Sequence, residues 1–478
     1  MEWVAATIDS MRSRTFRYAP LVVFGAVYTL SCLLGALLLI AEYNAFVSLF
    51  EYFSGTEAPQ LSPAEARTNL LLLFAAPLAL AAGYVACMQL LARQLASDRP
   101  RRRTTIEPPH WLPTIVFAAL ALIGFASLLR AGALGRTHSW VDYAAWVESR
   151  SENFDRLTFF EFVNLYILVP SAAAWVVVSN VPATRVQALL RLVPIPITVA
   201  LSLLLFTRKA VLTAVLIVLF AWVIDAVARG RPVRRLIFAG VALFAALYVA
   251  LVVVPVYSEA SRATDEAARA TTSTDPEQER RLAEIGEAFN LKNRRRSLVI
   301  YSVLSPLTRS SAPALYYPII FPEEHEYFRL DVGLDIIGVG AMPNDNVVVW
   351  DYLNPETPGG TTMVSYQFVL YSQIGTLGAI AASLAVGFLL AFAWRLSQIP
   401  ARATSALLGS MVLLLATYLA IDSLRNSVVV SYGVIWGLLF AAATAVFVRF
   451  VPRPAHIVES MRLPPRSRKR LEPERGHQ

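Results

Sequence analysis

Charge is scarce in this chain: 16% of its 478 residues are Asp, Glu, Lys or Arg, while 56% are hydrophobic. That balance excludes a soluble globular domain and points to a polytopic membrane protein. Cysteine is scarcer still. The two present, Cys32 and Cys87, both fall inside apolar stretches, which excludes an exported disulfide framework. There is no Cys/His cluster of zinc spacing, no phosphate-binding glycine loop and no Gly-x-Ser-x-Gly elbow. Neither metal nor cofactor is expected. Internal repeats and a soluble terminal domain are also missing. The net charge of +8 does not indicate nucleic acid, because most basic residues border apolar runs, where membrane topology accounts for them.

What the chain has in abundance is apolar runs of about 20 residues, enough to cross roughly 30 Å of hydrocarbon as helix. Ten are expected, at 20–41, 69–92, 112–129, 159–179, 188–206, 210–228, 236–257, 367–394, 404–421 and 429–449. Each must be helical, since a helix satisfies its own backbone hydrogen bonds where water is excluded. The expected fold class is an all-α polytopic membrane protein of about ten transmembrane helices. Seven fall in 1–257 and three in 367–449. Between them lies one large polar loop, 258–366, and a basic tail follows over 450–478. The tail is rich in Pro and Arg, so disorder near anionic lipid is expected of it. The first run is too long for a signal-peptide core and reads as a retained anchor.

Short connections report orientation through their Lys/Arg content. Arg12, Arg14 and Arg17 share a side with Arg93, Arg99–Arg103, Arg185, Arg229–Arg235, Arg395, Arg402 and the tail arginines Arg449–Arg475. The opposite side begins with Glu42–Thr68, which holds four glutamates and one arginine. Both termini are therefore expected in the cytoplasm, and the 258–366 loop on the periplasmic or extracellular side. Several cations break the pattern by falling on the outer side: Arg130, Arg136, Arg150, Arg156, the turn Thr207-Arg208-Lys209, and Arg425. Topology does not require them there.

Within the loop, Leu282, Ile285 and Phe289 have helical spacing, predicting a short amphipathic surface helix over Asp275–Phe289. Arg294–Arg296 suit anionic headgroups or a pyrophosphate. The apolar stretch Ser297–Leu304 is too short to span and reads as re-entrant or interfacial. Beyond Pro318 the turn residues predict an irregular lid. Adjacent cations such as Arg208 and Lys209 can coordinate a phosphate, or simply snorkel; their place on the disfavoured side favours the phosphate. Arg425 is open to the same two readings. For proton chemistry the loop offers Glu323, Glu324, His325, Glu326, Asp331, Asp335, Asp345 and Asp351. Only His325 has an ordinary pKa near neutrality, although a lone histidine is often structural. The run centres carry almost no charge, which argues against an ion-coupled transporter.

Four stretches resemble the O-antigen, or oligosaccharide repeat-unit, polymerases of bacterial envelope polysaccharide assembly. They are Arg130-Ala-Gly-Ala-Leu-Gly-Arg136 through Tyr143 and Ser149-Arg150-Ser151; Phe206-Thr207-Arg208-Lys209; Gly359-Gly360-Thr361-Thr362 with Tyr371–Gly378; and the large loop itself. The resemblance implies a bundle of the GT-C kind and a polymerising glycosyltransferase. Its partners would be undecaprenyl-pyrophosphate-linked oligosaccharide, membrane lipid, and a chain-length regulator and flippase of the same pathway. By that resemblance Arg208, Lys209 and Arg425 hold the lipid pyrophosphate, with Arg136, Arg150 and Arg329 as further substrate contacts. His325, Glu324 or Asp331 takes the proton of the acceptor hydroxyl. Tyr316, Tyr317, Tyr327, Trp350 and Tyr352 suit stacking on sugar rings or anchoring at the interface. An O-antigen ligase, a lipid-linked oligosaccharide flippase and a non-catalytic chain-length partner are the alternatives.

Overall fold

The computed structural model describes residues 16–41, 47, 59–95, 111–140, 149–150, 152–153, 155–179, 185–231, 234–254, 257–258, 299, 302–303, 310–328, 345–355, 362–399, 402–423, 427 and 434–450. Among the described residues the regular structure is helical throughout, without a strand. Seven helices are long and apolar enough to cross a membrane: α1 (Ala19–Ile40), α2 (Pro63–Leu91), α3 (Trp111–Arg130), α4 (Phe159–Ser179), α6 (Arg208–Ala228), α10 (Tyr366–Ser397) and α11 (Arg402–Leu419). Shorter helices α5 (Pro194–Leu203), α7 (Arg234–Tyr248) and α12 (Val434–Phe450) lie at the other three apolar runs of the sequence. Two more, α8 (Ser311–Ile320) and α9 (Asp345–Leu353), belong to the large loop. The chain is an all-α polytopic membrane protein.

Paired contacts fix the helix directions. Tyr28 of α1 donates to the Leu73 carbonyl of α2 at 2.9 Å, and Tyr84 donates to the Arg17 carbonyl at 2.7 Å, so α1 and α2 run oppositely. Lys209 meets Asp422 at 3.5 Å and Asp225 meets Arg402 at 3.5 Å, which makes α6 and α11 antiparallel. Thr213 lies by Tyr166 and Arg229 reaches the Val178 carbonyl at 3.0 Å, so α4 runs with α6. One end of the bundle thus collects the starts of α2, α4, α6 and α10; the loop helices pack there. The far end collects the starts of α1 and α11. Serine and threonine caps mark two starts at the loop end. Ser62 accepts the Glu65 N–H, Glu65 answers on the Ser62 N–H, and Thr158 with Glu161 repeats the exchange.

Two glycines bring α2 and α10 into backbone contact. A Cβ on Gly83 would lie 2.0 Å from the Leu384 carbonyl oxygen, and one on Gly387 would lie 1.9 Å from that of Leu80. Each glycine meets the carbonyl three residues before the other, the reciprocity of two helices running the same way. Lipid tails are as apolar as leucine, so such backbone-to-backbone packing is what holds membrane helices together.

Part of the large loop is helical. Helix α8 is nearly all buried despite Pro318 within it. Ser310 donates to the Ser31 carbonyl at 2.6 Å and Ser311 to that of Cys32 at 2.9 Å. Both carbonyls belong to a π-helical turn of α1, Thr29–Leu33, one of the wide turns that disturb the regular ladder. Asn69 of α2 donates to the Leu315 carbonyl at 3.2 Å. Helix α8 is therefore wedged into the loop end of the bundle, not laid across it. Helix α9 replaces part of the expected irregular chain, burying Asp345 and Val349 four residues apart on one face. The predicted amphipathic helix 275–289, Arg294–Arg296 and the tail from Pro452 lie outside the described residues, as does most of the re-entrant stretch 297–304.

Candidate functional site

The turn from α5 into α6 is tight because Phe206 takes a positive φ of 53°, uncommon for a bulky side chain, with its ring fully buried. Its N–H donates to the Leu203 carbonyl at 2.9 Å. Thr207 then extends the backbone and α6 begins at Arg208. Thr207 stands at the N-cap, yet its side chain makes no cap hydrogen bond, and its buried hydroxyl has no partner among the described residues. A threonine there normally accepts from the second or third amide of the helix. Arg208 and Lys209, both half-buried, thus occupy the first turn of a helix whose amides point to the loop end.

Lys209 is held from the side. Its Nζ lies 3.5 Å from Asp422 Oδ2 and 5.9 Å from the centre of the Tyr418 ring, within cation–π range. Asp422 is buried; its other oxygen accepts the Ser423 N–H at 2.8 Å. Thr213 donates to the Lys209 carbonyl at 2.7 Å and shares a short hydrogen bond with the Tyr418 hydroxyl. Tyr166 closes the set, 3.5 Å from Thr213. From the loop, Tyr317 donates to Asp345 Oδ2 at 2.7 Å. Burial, then the charge of Asp345 and that of Asp422, pushes the Tyr317 phenol well above its ordinary pKa, keeping it a donor. Two buried carboxylates, a lysine and several hydroxyls therefore gather beneath α8.

His325 and Glu324 belong to a neighbouring cluster. The segment after α8 straps across the start of α10: Tyr371 donates to the Phe321 carbonyl at 2.6 Å, and the Phe328 N–H to the Ser372 carbonyl at 2.8 Å. Helix α10 breaks there at Gly375, whose φ of 68° only glycine adopts easily. The His325 ring packs against Phe328 at 4.7 Å and Phe321 at 5.5 Å. Its Nδ1 faces the Glu326 carbonyl at 2.7 Å and so carries the proton when the ring is neutral, which makes Nε2 the basic nitrogen. Glu324 is exposed on the strap.

Arg136 is occupied inside its own loop. Its five guanidinium N–H groups meet five acceptors: the Gly132, Ser149 and Ala131 carbonyls, Glu152 and Asn153. Asn153 in turn donates to the Leu204 carbonyl at 2.9 Å, in the turn that delivers Arg208. The geometry makes Arg136 a support of that turn. Arg150 is exposed beside Ser149. Asp331, Arg329 and Arg425 lie outside the described residues. Of the aromatics proposed for sugars, Tyr316 and Tyr317 are buried in the core, while Tyr327 and Tyr352 are exposed.

Sequence reasoning gave no role to Asp422, Asn153 or Thr207. Asp422 carried a visible signal, a carboxylate immediately after the apolar run 404–421 in the same turn as Arg425. Asn153 carried none. No family model, curated protein or solved structure matches this chain.

Proposed function

We propose that this chain is a ten-helix membrane glycosyltransferase that polymerises undecaprenyl-pyrophosphate-linked oligosaccharide repeat units at the outer face of a bacterial inner membrane. In this reading both termini are cytoplasmic, and the loop end of the bundle faces outward. The observation that carries the proposal is the uncapped start of α6. Arg208 and Lys209, first-turn amides and the unpartnered Thr207 hydroxyl share that turn, a set suited to an oxyanion.

The chemistry follows from that set. The acceptor hydroxyl attacks the anomeric carbon of the donor, forming a new C–O bond as the bond to the lipid pyrophosphate breaks. The pyrophosphate leaves with the electron pair, and Arg208 and Lys209 stabilise the charge that develops on it. Asp422 keeps Lys209 oriented. The hydroxyl proton passes to a base on the strap, His325 through Nε2 or the exposed carboxylate of Glu324. Arg425 is assigned to the same anion by its place in the sequence.

Cells lacking the gene and complemented with wild type, Arg208→Ala or Lys209→Ala provide the test, read as the length of surface glycan. Loss of polymerisation leaves single repeat units attached. Long lipid-linked polymer left unattached would identify a ligase, and repeats trapped inside the cell a flippase. Normal chain lengths in both variants would overturn the assignment.

A further inference from the structure

Beneath the turn into α6, two residue pairs on antiparallel helices cross each other. On α6, Lys209 and Thr213 stand one turn apart, and Thr213 Oγ1 donates to the Lys209 carbonyl at 2.7 Å. At the end of α11 the Tyr418 carbonyl accepts the Asp422 N–H at 2.8 Å, which sets those two one turn apart as well. Between the helices, Lys209 meets Asp422 at 3.5 Å, and the Tyr418 hydroxyl shares a hydrogen bond with Thr213 Oγ1. The centre of the Tyr418 ring lies 5.9 Å from Lys209 Nζ. Thr213 and Tyr418 are buried, whereas the Lys209 side chain is partly open.

The hydroxyl bond has a fixed direction. Thr213 has one hydroxyl proton and gives it to a carbonyl, which can only accept, so the Tyr418 phenol is the donor in the bond they share. That bond holds the ring in place beside the lysine. An ammonium on a flexible four-carbon stem can swing about a single carboxylate, because a point charge sets distance and not direction. A ring face supplies a second attraction from a different side, through its quadrupole. A buried phenol bonded only to satisfy its own hydroxyl would need none of this. Tyr418 instead touches the Lys209 ammonium, the hydroxyl under the Lys209 carbonyl and the Asp422 amide together.

We infer that Tyr418 is a positioning residue for the anion site at the start of α6: its ring face directs the Lys209 ammonium, and its hydroxyl on Thr213 holds the ring. The inference rests on the reading of that turn as the pyrophosphate site. It adds a residue from the facing helix that acts through Lys209 and not on the substrate.

The full-length protein, purified in a neutral detergent, is titrated with inorganic pyrophosphate, and affinity is read beside thermal unfolding. Lys209→Gln removes the ammonium and is expected to weaken binding about tenfold or more. Tyr418→Met fills the site with a flexible apolar chain but has no ring face, and affinity should fall about fivefold. Tyr418→Leu repeats the ringless test should the Met variant not fold. Tyr418→Phe keeps the ring and loses the hydroxyl; it should unfold at a lower temperature yet bind within about twofold of wild type. A tyrosine with a purely structural role would not separate affinity from stability in this way. With Lys209→Gln already in place, Tyr418→Met should cost no further affinity. Wild-type binding by the ringless variant, beside a weakened Lys209→Gln, would overturn the positioning role alone. So would a Phe variant as weak as the Met one, or a fully additive loss in the double variant. Unchanged affinity in Lys209→Gln would overturn the reading of the turn itself, and the role of Tyr418 with it.

Discussion

The two ends of the bundle handle buried charge in opposite ways. At the loop end a single lysine, 27% exposed, leans on Asp422 while Asp345 is held by a phenol, so carboxylates and hydroxyls dominate the interior. At the far end arginines crowd one carboxylate and the side chains are more deeply enclosed. A half-open lysine with an unsatisfied hydroxyl beside it is arranged to meet something that comes and goes. Guanidinium groups clasped to Asp225 across α4, α6 and α11 tie three helices together. Under the proposed function the loop end is the one that turns over substrate, while the far end holds helices together.

Breaking the frame that both ends share should have the largest effect. In Gly387→Val the new side chain would collide with the Leu80 carbonyl, forcing α2 and α10 apart. Loss of monodisperse protein on size-exclusion chromatography is expected, beyond the roughly 1–3 kcal/mol of ordinary overpacking, because backbone cannot yield as a side chain does. Next comes Asp225→Asn, which leaves Arg229 and Arg402 enclosed without their carboxylate. It should cost about 3–5 kcal/mol, seen as a lower unfolding temperature, while surface-glycan length per folded molecule holds. A milder change is expected from Arg136→Lys, since an ammonium cannot serve the five acceptors of the guanidinium. Stability should fall by about 1–3 kcal/mol, and polymer yield with it through Asn153 and the Leu204 turn. Full stability with lost polymer would instead place Arg136 on the substrate. The smallest effect belongs to Thr207→Val, which removes the unpartnered hydroxyl. Polymer formation should drop about fivefold, the worth of one neutral hydrogen bond, with the unfolding temperature unchanged.

How much of this was legible in the sequence follows the range of the interactions involved. The apolar runs are local, so the long helices could be placed within a few residues of their ends. Helix α8 could not. Ser311–Ile320 is short and contains Pro318, and its start is held by the Ser31 and Cys32 carbonyls of the first helix. Such distant partners leave no trace in spacing. The cations Arg208 and Lys209 stood out because topology disfavoured them, but the Asp422 that orients Lys209 comes from another helix. Arg136 stood out for the same reason. Its partners lie a short way along the chain, yet five acceptors closing on one guanidinium is a fact of folded geometry.

The reciprocal glycines of α2 and α10 also set a rule for exchanging parts. They fix the rotation and height of α10 at Leu384 and Gly387, whereas the strap is sewn on at Ser372, beyond the break at Gly375. One residue inserted between these points would turn the outer segment by about 100° and shift it by about 1.5 Å, carrying Ser372 away from Phe328. Loops of other composition can therefore be grafted only as cassettes joined before that stretch. Between Ser372 and Gly387 the chain works as a ruler, whose length in residues has to be kept together with the glycines at 375 and 387.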